Sequence, residues 1–270
     1  MKVIVITGAS DGIGAEMARQ LAVTHRSAVA LVLAGRSQSK LDAVASECED
    51  TGAQVMAVPM DVAIEAHCRS LIEGATTRFG RIDALINNAG VSAQAQFADI
   101  DTADLHWVEE LMRINFWGSL WCTHAALPAL KVSRGRIVAV SSLAGLVGVP
   151  GRTAYSASKF AMTGFFEALR AELKNAGVSV TTAFPGVVAT NIRVRGFNAQ
   201  GLPAGSSGLK EDKAMGVEEC ARRILDGMNR GQREVVMSGR DRIGRWLKLA
   251  APGVVENMAL AALKDEVKPR

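Results

Sequence analysis

The stretch VIVITGASDGIGAEMARQL, residues 3–21, decides the fold of this chain. A strand-like apolar run leads directly into a turn that contains Gly8, Gly12 and Gly14, and a helix-like segment follows. Glycines let a backbone approach a pyrophosphate, and the N–H groups and positive end of the next helix hold the anion. The stretch therefore predicts the strand, turn and helix that open a dinucleotide-binding α/β fold, with a merely structural turn as the alternative.

The same alternation continues along the chain. The strand-like runs are KVIVITG, AVALVLAG, AQVMAVPMD, IDALINNAG, GRIVAVSS, SVTTAFPG and EVVMSG. The helix-like segments between them are 15–23, 41–51, 66–79, 104–130 and 155–175. Continuous apolarity is typical of strands buried on both faces in a parallel sheet that helices cover. We predict a single-domain, three-layer α/β/α fold with a doubly wound parallel sheet.

Composition narrows the function classes. The net charge of +4 comes from basic residues spread along 270 residues, which favours an anionic cofactor over a nucleic-acid partner. The four cysteines and four histidines are scattered without a ligand pattern, so the sequence predicts no metal site. The opening run has no leader pattern, and Pro252 and Glu256 interrupt the apolar run near the C-terminus. We therefore expect no transmembrane segment and a cytoplasmic protein.

The end of the second strand indicates which dinucleotide binds. Arg36 and Ser37 stand where an acidic residue would hold the ribose hydroxyls of NAD. A guanidinium suits a 2′-phosphate, so NADP is favoured, with an ordinary surface arginine as the alternative. Asp61 and Val62, after the third strand, are expected to flank the adenine, although Asp61 alone could be a helix cap.

Tyr155 is the only tyrosine of the chain and stands four residues before Lys159. Residues at positions i and i+4 share one face of a helix, so the Lys159 ammonium can stand near the phenol and favour the phenolate. A tyrosine that only packs its ring is the alternative. We interpret Tyr155 as a proton donor and acceptor rather than a packing residue.

Several motifs together resemble the short-chain dehydrogenase/reductase family. They are TGASDGIG at 7–14, NNAG at 87–90, Asn115, the SS pair at 141–142, YSASK at 155–159 and PGVVAT at 185–190. Their order and spacing match the family to about Gly239. The resemblance implies a Rossmann-type domain, a nicotinamide cofactor and catalysis by a Ser-Tyr-Lys set that an asparagine assists.

Carried onto this chain, the set is Ser142, Tyr155 and Lys159, with Asn115 as the assisting residue. Tyr155 is expected to give a proton to the carbonyl oxygen, and Ser142 to hydrogen-bond and orient that oxygen. Lys159 is expected to hold the nicotinamide ribose, and Asn115 to support a water relay to Lys159. For Asn115 the alternative is a helix-interior asparagine turned to solvent.

The resemblance also implies one line of cofactor contacts, with PGVVAT along the nicotinamide and Thr190 as a hydrogen-bonding partner of its carboxamide. Many NADP-using members carry a basic residue where this chain has Asp11, so the NADP prediction depends mainly on Arg36 and Ser37. The expected cofactor-binding residues are Gly8, Ser10, Asp11, Gly12, Ile13, Gly14, Arg36, Ser37, Asp61, Val62, Asn88, Ala89, Gly90, Tyr155, Lys159, Pro185, Gly186, Val188 and Thr190.

Residues 1–240 are predicted as the cofactor-binding and catalytic domain, with a substrate lid at about 191–215. Arg193 and Arg195 of the lid either contact an acidic substrate or lie solvated on the surface. Residues 241–270 resemble the C-terminal extension of steroid- and retinoid-type members, some of which associate with membranes. We predict that this helical extension covers the cleft or a subunit interface, with an interfacial amphipathic helix at the membrane as the alternative.

These features predict an NADP-dependent carbonyl reductase or alcohol dehydrogenase acting on an apolar ketone or aldehyde. A 3-oxoacyl thioester reductase and a non-catalytic NADP-binding sensor are the alternatives, because fold alone does not decide function. A homodimer or homotetramer that pairs helices 104–130 and 155–175 is expected, since Ala157, Ala161 and Gly164 allow close approach.

Overall fold

Seven parallel strands form the central sheet. The computed structural model describes residues 1–212 and 214–264, so Lys213 of the predicted lid and residues 265–270 of the predicted extension lie outside the described residues. All seven strand-like runs of the sequence are strands, as predicted. They are β1 (Lys2–Thr7), β2 (Val29–Gly35), β3 (Gln54–Pro59), β4 (Ala84–Asn87), β5 (Arg136–Val140), β6 (Ser179–Phe184) and β7 (Glu234–Val236).

The strand order is β3-β2-β1-β4-β5-β6-β7, and each neighbouring pair is parallel. The chain first builds outward from β1 to β3 and then crosses back to place β4 beside β1. Such a reversal opens a crevice at the carboxyl ends of the central strands, where open α/β sheets bind ligands. The doubly wound Rossmann prediction is confirmed.

Helices cover both faces of the sheet. They are α1 (Gly12–His25), α2 (Gln38–Glu49), α3 (Glu65–Phe79), α4 (His106–Met112), α5 (Gly118–Ser133), α6 (Thr153–Leu173), α7 (Val217–Asn229), α8 (Gly239–Ala250) and α9 (Pro252–Ala261). Helices α1, α2 and α7 pack in one layer and α3, α5 and α6 in the other. The predicted helix 104–130 is interrupted, because a π-helical turn at Arg113–Trp117 separates α4 from α5.

Strand β1 shows why the apolar runs are continuous. Ile4 and Ile6 pack against the layer of α1, whereas Val3 and Val5 pack against the layer of α3. Successive side chains of a strand point to opposite faces, so a sheet covered on both sides needs an apolar residue at each position. Each fully buried side chain of this kind contributes about 1.5–3 kcal/mol to folding.

The C-terminal helices lie outside the two main layers. Helix α8 leaves three large apolar side chains exposed, Ile243 by 67%, Trp246 by 66% and Leu249 by 76%. Helix α9 ends near the lid, where Leu209 and Leu263 form a backbone bridge. Across the described residues, none of the helices combines the length and apolar character that crossing a membrane requires.

Candidate active site

The turn after β1 has a backbone geometry and a close packing that favour glycine over residues with a Cβ. Gly8 and Gly12 have left-handed φ values of +66° and +55°. A Cβ on Gly14 would lie 2.3 Å from the carbonyl oxygen of Gly8, so the start of α1 packs directly on the turn. The Asn88 amide donates to the carbonyl oxygens of Thr7 at 3.0 Å and Gly8 at 3.2 Å and fixes the turn from below. The first N–H groups of α1 are thereby directed at a ligand lying across the turn.

Asp11 caps this turn and carries a compensated charge. Its carboxylate accepts hydrogen bonds from Gly12 N at 2.8 Å, from Lys40 Nζ at 3.2 Å and from Arg195 Nη1 at 2.7 Å. Burial alone would raise the pKa of Asp11, but the bonds from Arg195, Gly12 and Lys40 outweigh it and lower the pKa. Asp11 therefore links the glycine turn to Arg195 of the predicted lid and to Lys40 of α2, and these two cations balance its negative charge.

Arg36 and Ser37 lie at the carboxyl end of β2, where the cavity opens. Arg36 is exposed, and its guanidinium has no hydrogen bond or ion pair with any described residue. Asp61, at the end of β3, accepts from Ala63 N at 2.9 Å and closes the turn before α3. It does not cap that helix, whose N-cap residue is Ile64, so the helix-cap alternative is wrong in detail.

One cavity of about 660 Å³ joins the turn, the strand ends and the predicted catalytic residues. Its lining includes every predicted cofactor residue except Gly14, which lies underneath the turn. Ser142, Tyr155 and Lys159 border the same cavity. The structure thus brings together residues that are up to 182 positions apart, from Gly8 to Thr190.

Tyr155 and Lys159 lie one turn apart near the start of α6. The Lys159 Nζ stands 5.9 Å from the centroid of the Tyr155 ring and donates to Val140 O at 3.0 Å. The side chain is 3% exposed, and this burial lowers the pKa of the Lys159 ammonium, against a smaller opposite effect of Tyr155. Lys159 is consequently a dehydrated cation beside the phenol, where its charge acts with little screening by water.

The two serines after β5 have different surroundings. Ser141 Oγ donates to Lys159 O at 3.1 Å and is held against α6. Ser142 Oγ accepts from Ala144 N at 3.2 Å and lies 3.4 Å from Pro185 O, a long contact that leaves its hydroxyl at the cavity wall. The choice of Ser142 over its neighbour therefore agrees with the geometry of the cavity.

Asn115 lies inside the π-helical turn and is fully buried. Its side chain accepts from Val91 N at 2.8 Å and donates to Val91 O at 2.9 Å and Ser158 Oγ at 3.0 Å. The alternative of an asparagine turned to solvent is wrong. A π turn shifts the hydrogen-bond ladder by one residue, and this shift turns the amide toward the loop after β4. The water relay to Lys159 stays a prediction.

The two arginines of the predicted lid have different surroundings, and contact of either with an acidic substrate stays a prediction. Arg193 is only 7% exposed, and it donates to Val188 O at 2.8 Å and to Glu211 Oε1 at 2.5 Å. Its charge is used inside the protein, so the solvated-surface alternative is wrong for this residue. Arg195 is half exposed and paired with Asp11. Arg193 and Arg195 thus connect the predicted lid to Val188 and Asp11.

The C-terminal extension reaches the same cavity. Ala259 and Ala262 are part of its lining, and Lys210 Nζ donates to Ala261 O at 3.1 Å. These alanines and Arg152, a buried arginine at the cavity wall, are site residues that the sequence did not predict. Small apolar residues and single arginines are common everywhere, so no sequence signal marks them.

Comparison with known proteins gives the class that this fold and site define. Residues 2–200 match the family model described as short chain dehydrogenase. The chain belongs to the short-chain dehydrogenase/reductase family, whose members are oxidoreductases acting on CH–OH groups, and the resemblance drawn from the motifs is confirmed.

A curated relative is 11-beta-hydroxysteroid dehydrogenase-like 4A of Arabidopsis thaliana. It is 36% identical over 252 residues, which cover 93% of this chain and 81% of the relative. An alcohol dehydrogenase of Thermococcus sibiricus complexed with 5-hydroxy-NADP aligns with a TM-score of 0.75 and 25% identity, over 88% of this chain and 96% of that chain. A Burkholderia phymatum family member in complex with NAD, 24% identical, has a TM-score of 0.79 over 94% of each chain and shows the fold.

Proposed function

We propose that this protein is an NADP-dependent oxidoreductase that transfers a hydride between NADPH and the carbonyl carbon of an apolar ketone or aldehyde. One observation carries the proposal. The buried Tyr155 and Lys159 pair borders the same cavity as the glycine turn and the unpaired Arg36. A site with a proton donor at one end and a phosphate-binding turn at the other suits reduction by a nicotinamide dinucleotide.

The residues present fit such a cofactor. The turn at Gly8 and Gly12 has the left-handed backbone that lets a pyrophosphate approach the start of α1. Arg36 and Ser37 border the cavity at the far end and suit the 2′-phosphate of NADP. The solved relatives include complexes with an NADP derivative and with NAD, so the preference for NADP depends on Arg36 and Ser37.

Bound NADPH would supply the hydride, and the protein supplies the remaining groups. The Tyr155 hydroxyl gives a proton to the carbonyl oxygen as negative charge develops there. Ser142 donates a hydrogen bond to that oxygen and fixes its position. Lys159 stabilises the phenolate that remains and holds the nicotinamide ribose, while Asn115 supports proton resupply through water.

The substrate end of the cavity supports an apolar compound. Leu143, Val149, Leu209, Ala259 and Ala262 form its wall. Leu209 and Lys210 of the predicted lid contact Leu263 and Ala261 at and just after the end of α9, and we assign these two segments the role of a cover over this part of the cleft. The steroid-dehydrogenase name of the Arabidopsis relative also favours a carbonyl or hydroxyl group on an apolar body.

The test is loss of NADPH, with NADH in parallel, over ketones, aldehydes and 3-oxoacyl thioesters, with Tyr155→Phe as the blank. We expect turnover of apolar ketones or aldehydes that disappears in the variant. Selective turnover of the thioesters would move the assignment to the thioester reductase. Tight NADPH binding with no turnover in the panel would favour the sensor and refute the enzyme.

Arg36→Ala tests the cofactor assignment directly. Removal of a charge-assisted phosphate contact worth about 1.5–3 kcal/mol should raise the KM for NADPH about tenfold to a hundredfold and leave that for NADH unchanged. Arg230→Ala removes an exposed arginine on the far side of the fold and is the charge-matched control. Equal effects on NADPH and NADH would overturn the role given to Arg36.

Assembly and location are also proposals. We propose a homodimer or homotetramer in which α5, with the π turn before it, and α6 pair with their copies, since Trp117 of the π turn is 42% and Phe160 of α6 is 37% exposed. Sedimentation of wild type and Gly164→Trp tests this, because a bulky side chain at the close approach should lower the oligomeric state. Fractionation of expressing cells tests the cytoplasmic location against peripheral membrane contact through α8.

A further inference from the structure

Arg152 is a buried cation beside the catalytic tyrosine. It stands immediately before α6, and its guanidinium carbon lies 4.6 Å from the centroid of the Tyr155 ring. The side chain is 7% exposed and forms part of the cavity wall. One terminal nitrogen donates to Ser92 Oγ, whereas Nε is buried without a hydrogen-bond partner among the described residues.

The charge of Arg152 is uncompensated. Within the described ranges, 1–212 and 214–264, no carboxylate lies within 4.0 Å of its guanidinium nitrogens. The nearby Arg193 is a second cation, but Glu211 neutralises it at 2.5 Å. Burial lowers the pKa of the Arg152 guanidinium. The interaction with Tyr155 partly offsets this effect, and the positive charge of Arg193 lowers the pKa further. A buried guanidinium without an anion is costly, and native proteins keep such groups mainly at functional sites.

The cofactor does not supply the missing anion in this arrangement. Its pyrophosphate belongs at the glycine turn beside α1, and its 2′-phosphate at Arg36. Arg152 instead borders the part of the cavity where Tyr155 meets the carbonyl group. Apart from the Tyr155 phenolate that forms during the reaction, a negative charge that reaches Arg152 therefore comes with the substrate.

We infer that Arg152 forms a subsite for a carboxylate of the substrate, so that the preferred substrate is an oxo acid with an apolar body and a few carbons between its two polar groups. This inference rests on the proposed function and narrows it. A guanidinium presents parallel N–H groups that match a carboxylate. The terminal nitrogen that does not bond Ser92 has no hydrogen-bond partner among the described residues and can donate to the carboxylate, and Leu143 and Val149 line the space for the apolar body.

Paired substrates test the subsite. We would compare kcat/KM for 4-oxo-4-phenylbutanoate and for its methyl ester, which differ in the negative charge and in one methyl group. The wild type should prefer the acid at least about tenfold, in line with the worth of a charge-assisted hydrogen bond. Arg152→Gln should abolish this preference, and Arg152→Lys, which keeps the charge, should retain part of it.

Arg78→Gln is the matched control, because Arg78 also stands over an aromatic ring, Phe79, at 5.1 Å but lies outside the cavity. It should keep the wild-type preference. If the wild type reduces the ester as well as the acid, the subsite is wrong and the reductase assignment stands. A preference that survives in Arg152→Gln, or is lost equally in Arg78→Gln, would overturn the role of Arg152.

A binding measurement separates this inference from the proposed function. Calorimetric titration of the NADPH complex with decanoate and with decanol needs no turnover. We expect decanoate to bind at least about tenfold more tightly, and expect Arg152→Lys to keep part of this difference even if Arg152→Gln fails to fold. Arg152-dependent decanoate binding without reduction of any carbonyl would refute the reductase and support the subsite. Equal binding of decanoate and decanol would refute the subsite.

Discussion

Replacement of Asn115 by leucine should weaken the fold and the active site together. The side-chain amide of Asn115 accepts a hydrogen bond from Val91 N at 2.8 Å and donates one to Val91 O at 2.9 Å. A third bond, to Ser158 Oγ, is 3.0 Å long. Asn115 is fully buried, whereas Val91 is partly buried and borders the cavity, so water can replace the lost partners only from the cavity side. Leucine has nearly the same size but offers no polar atom.

The magnitude follows from the groups left without partners. A buried polar group that loses its hydrogen bond costs about 1–3 kcal/mol, so the two groups of Val91 give about 2–6 kcal/mol. Ser158 keeps its own bond to Tyr155 O at 2.8 Å and adds little. The apolar side chain of leucine offsets part of this cost, so we expect about 3 kcal/mol. For a domain of this size the melting temperature should fall by about 6–12 °C.

The assay is thermal unfolding followed by circular dichroism, together with NADPH oxidation at a temperature where the variant is still folded. Asn175→Leu makes the same change at an exposed position and should shift the melting temperature by less than about 2 °C. Activity should fall with stability, because Gly90, next to Val91, lies against both Asn115 Oδ1 and Lys159 Nζ. A melting temperature within 2 °C of the wild type would refute the assignment of these hydrogen bonds.

Three further changes have definite expected outcomes. Lys159→Met should abolish reduction yet raise the melting temperature at pH 8 by about 3 °C or more, since it removes a buried cation. The pKa of Lys159 in the folded protein is below its unfolded value of 10.5, so the wild type becomes more stable as the pH rises from the folded to the unfolded pKa. The difference in melting temperature between the wild type and Lys159→Met should therefore disappear by pH 10.5. Gly14→Ala should lose NADPH binding in a calorimetric titration, because its Cβ would lie 2.3 Å from Gly8 O, whereas Gly148→Ala, in open space, should bind normally. Thiol labelling at pH 8 should be slow in the native protein and complete in urea, because the four cysteines, Cys48, Cys68, Cys122 and Cys220, are buried. Burial raises the pKa of Cys48 to about 11 and that of Cys220 to about 12, which suppresses their reactive thiolate forms.

The sequence was sufficient for the sheet and for the shared face of Tyr155 and Lys159. Strands buried on both faces need an apolar residue at every position, and this requirement leaves a continuous run that is visible without neighbours. The i, i+4 spacing fixes a common face in any helix. The apolar runs and the i, i+4 spacing each lie within one short segment, so the sequence alone predicts the strands and the shared helix face.

The interruption of the helix 104–130 could not be placed by the same rules. The π turn at Arg113–Trp117 depends on the amide of Asn115 finding Val91, 24 residues earlier in the chain. The sequence shows only an asparagine among apolar residues, which is equally compatible with solvent exposure. The pairing of Asp11 with Arg195 is similar, because the lid folds back over the turn across 184 positions. Contacts of this range are set by tertiary structure.

Three arginines of the cavity wall show what decides the ligand charge. Arg36 is exposed and unpaired at the adenine end, Arg193 is buried and paired with Glu211, and Arg152 is buried and unpaired beside Tyr155. The sequence marks Arg36 by its place after the second strand, but neither the sequence nor the net charge of +4 shows that Arg193 has an ion-pair partner and Arg152 has none. The positive charge of Arg193 is balanced by Glu211, so Arg193 does not need an anion from a ligand. The two arginines without an ion-pair partner border different parts of the cavity, and we therefore propose a separate anion for each, the first on the cofactor and the second on the substrate.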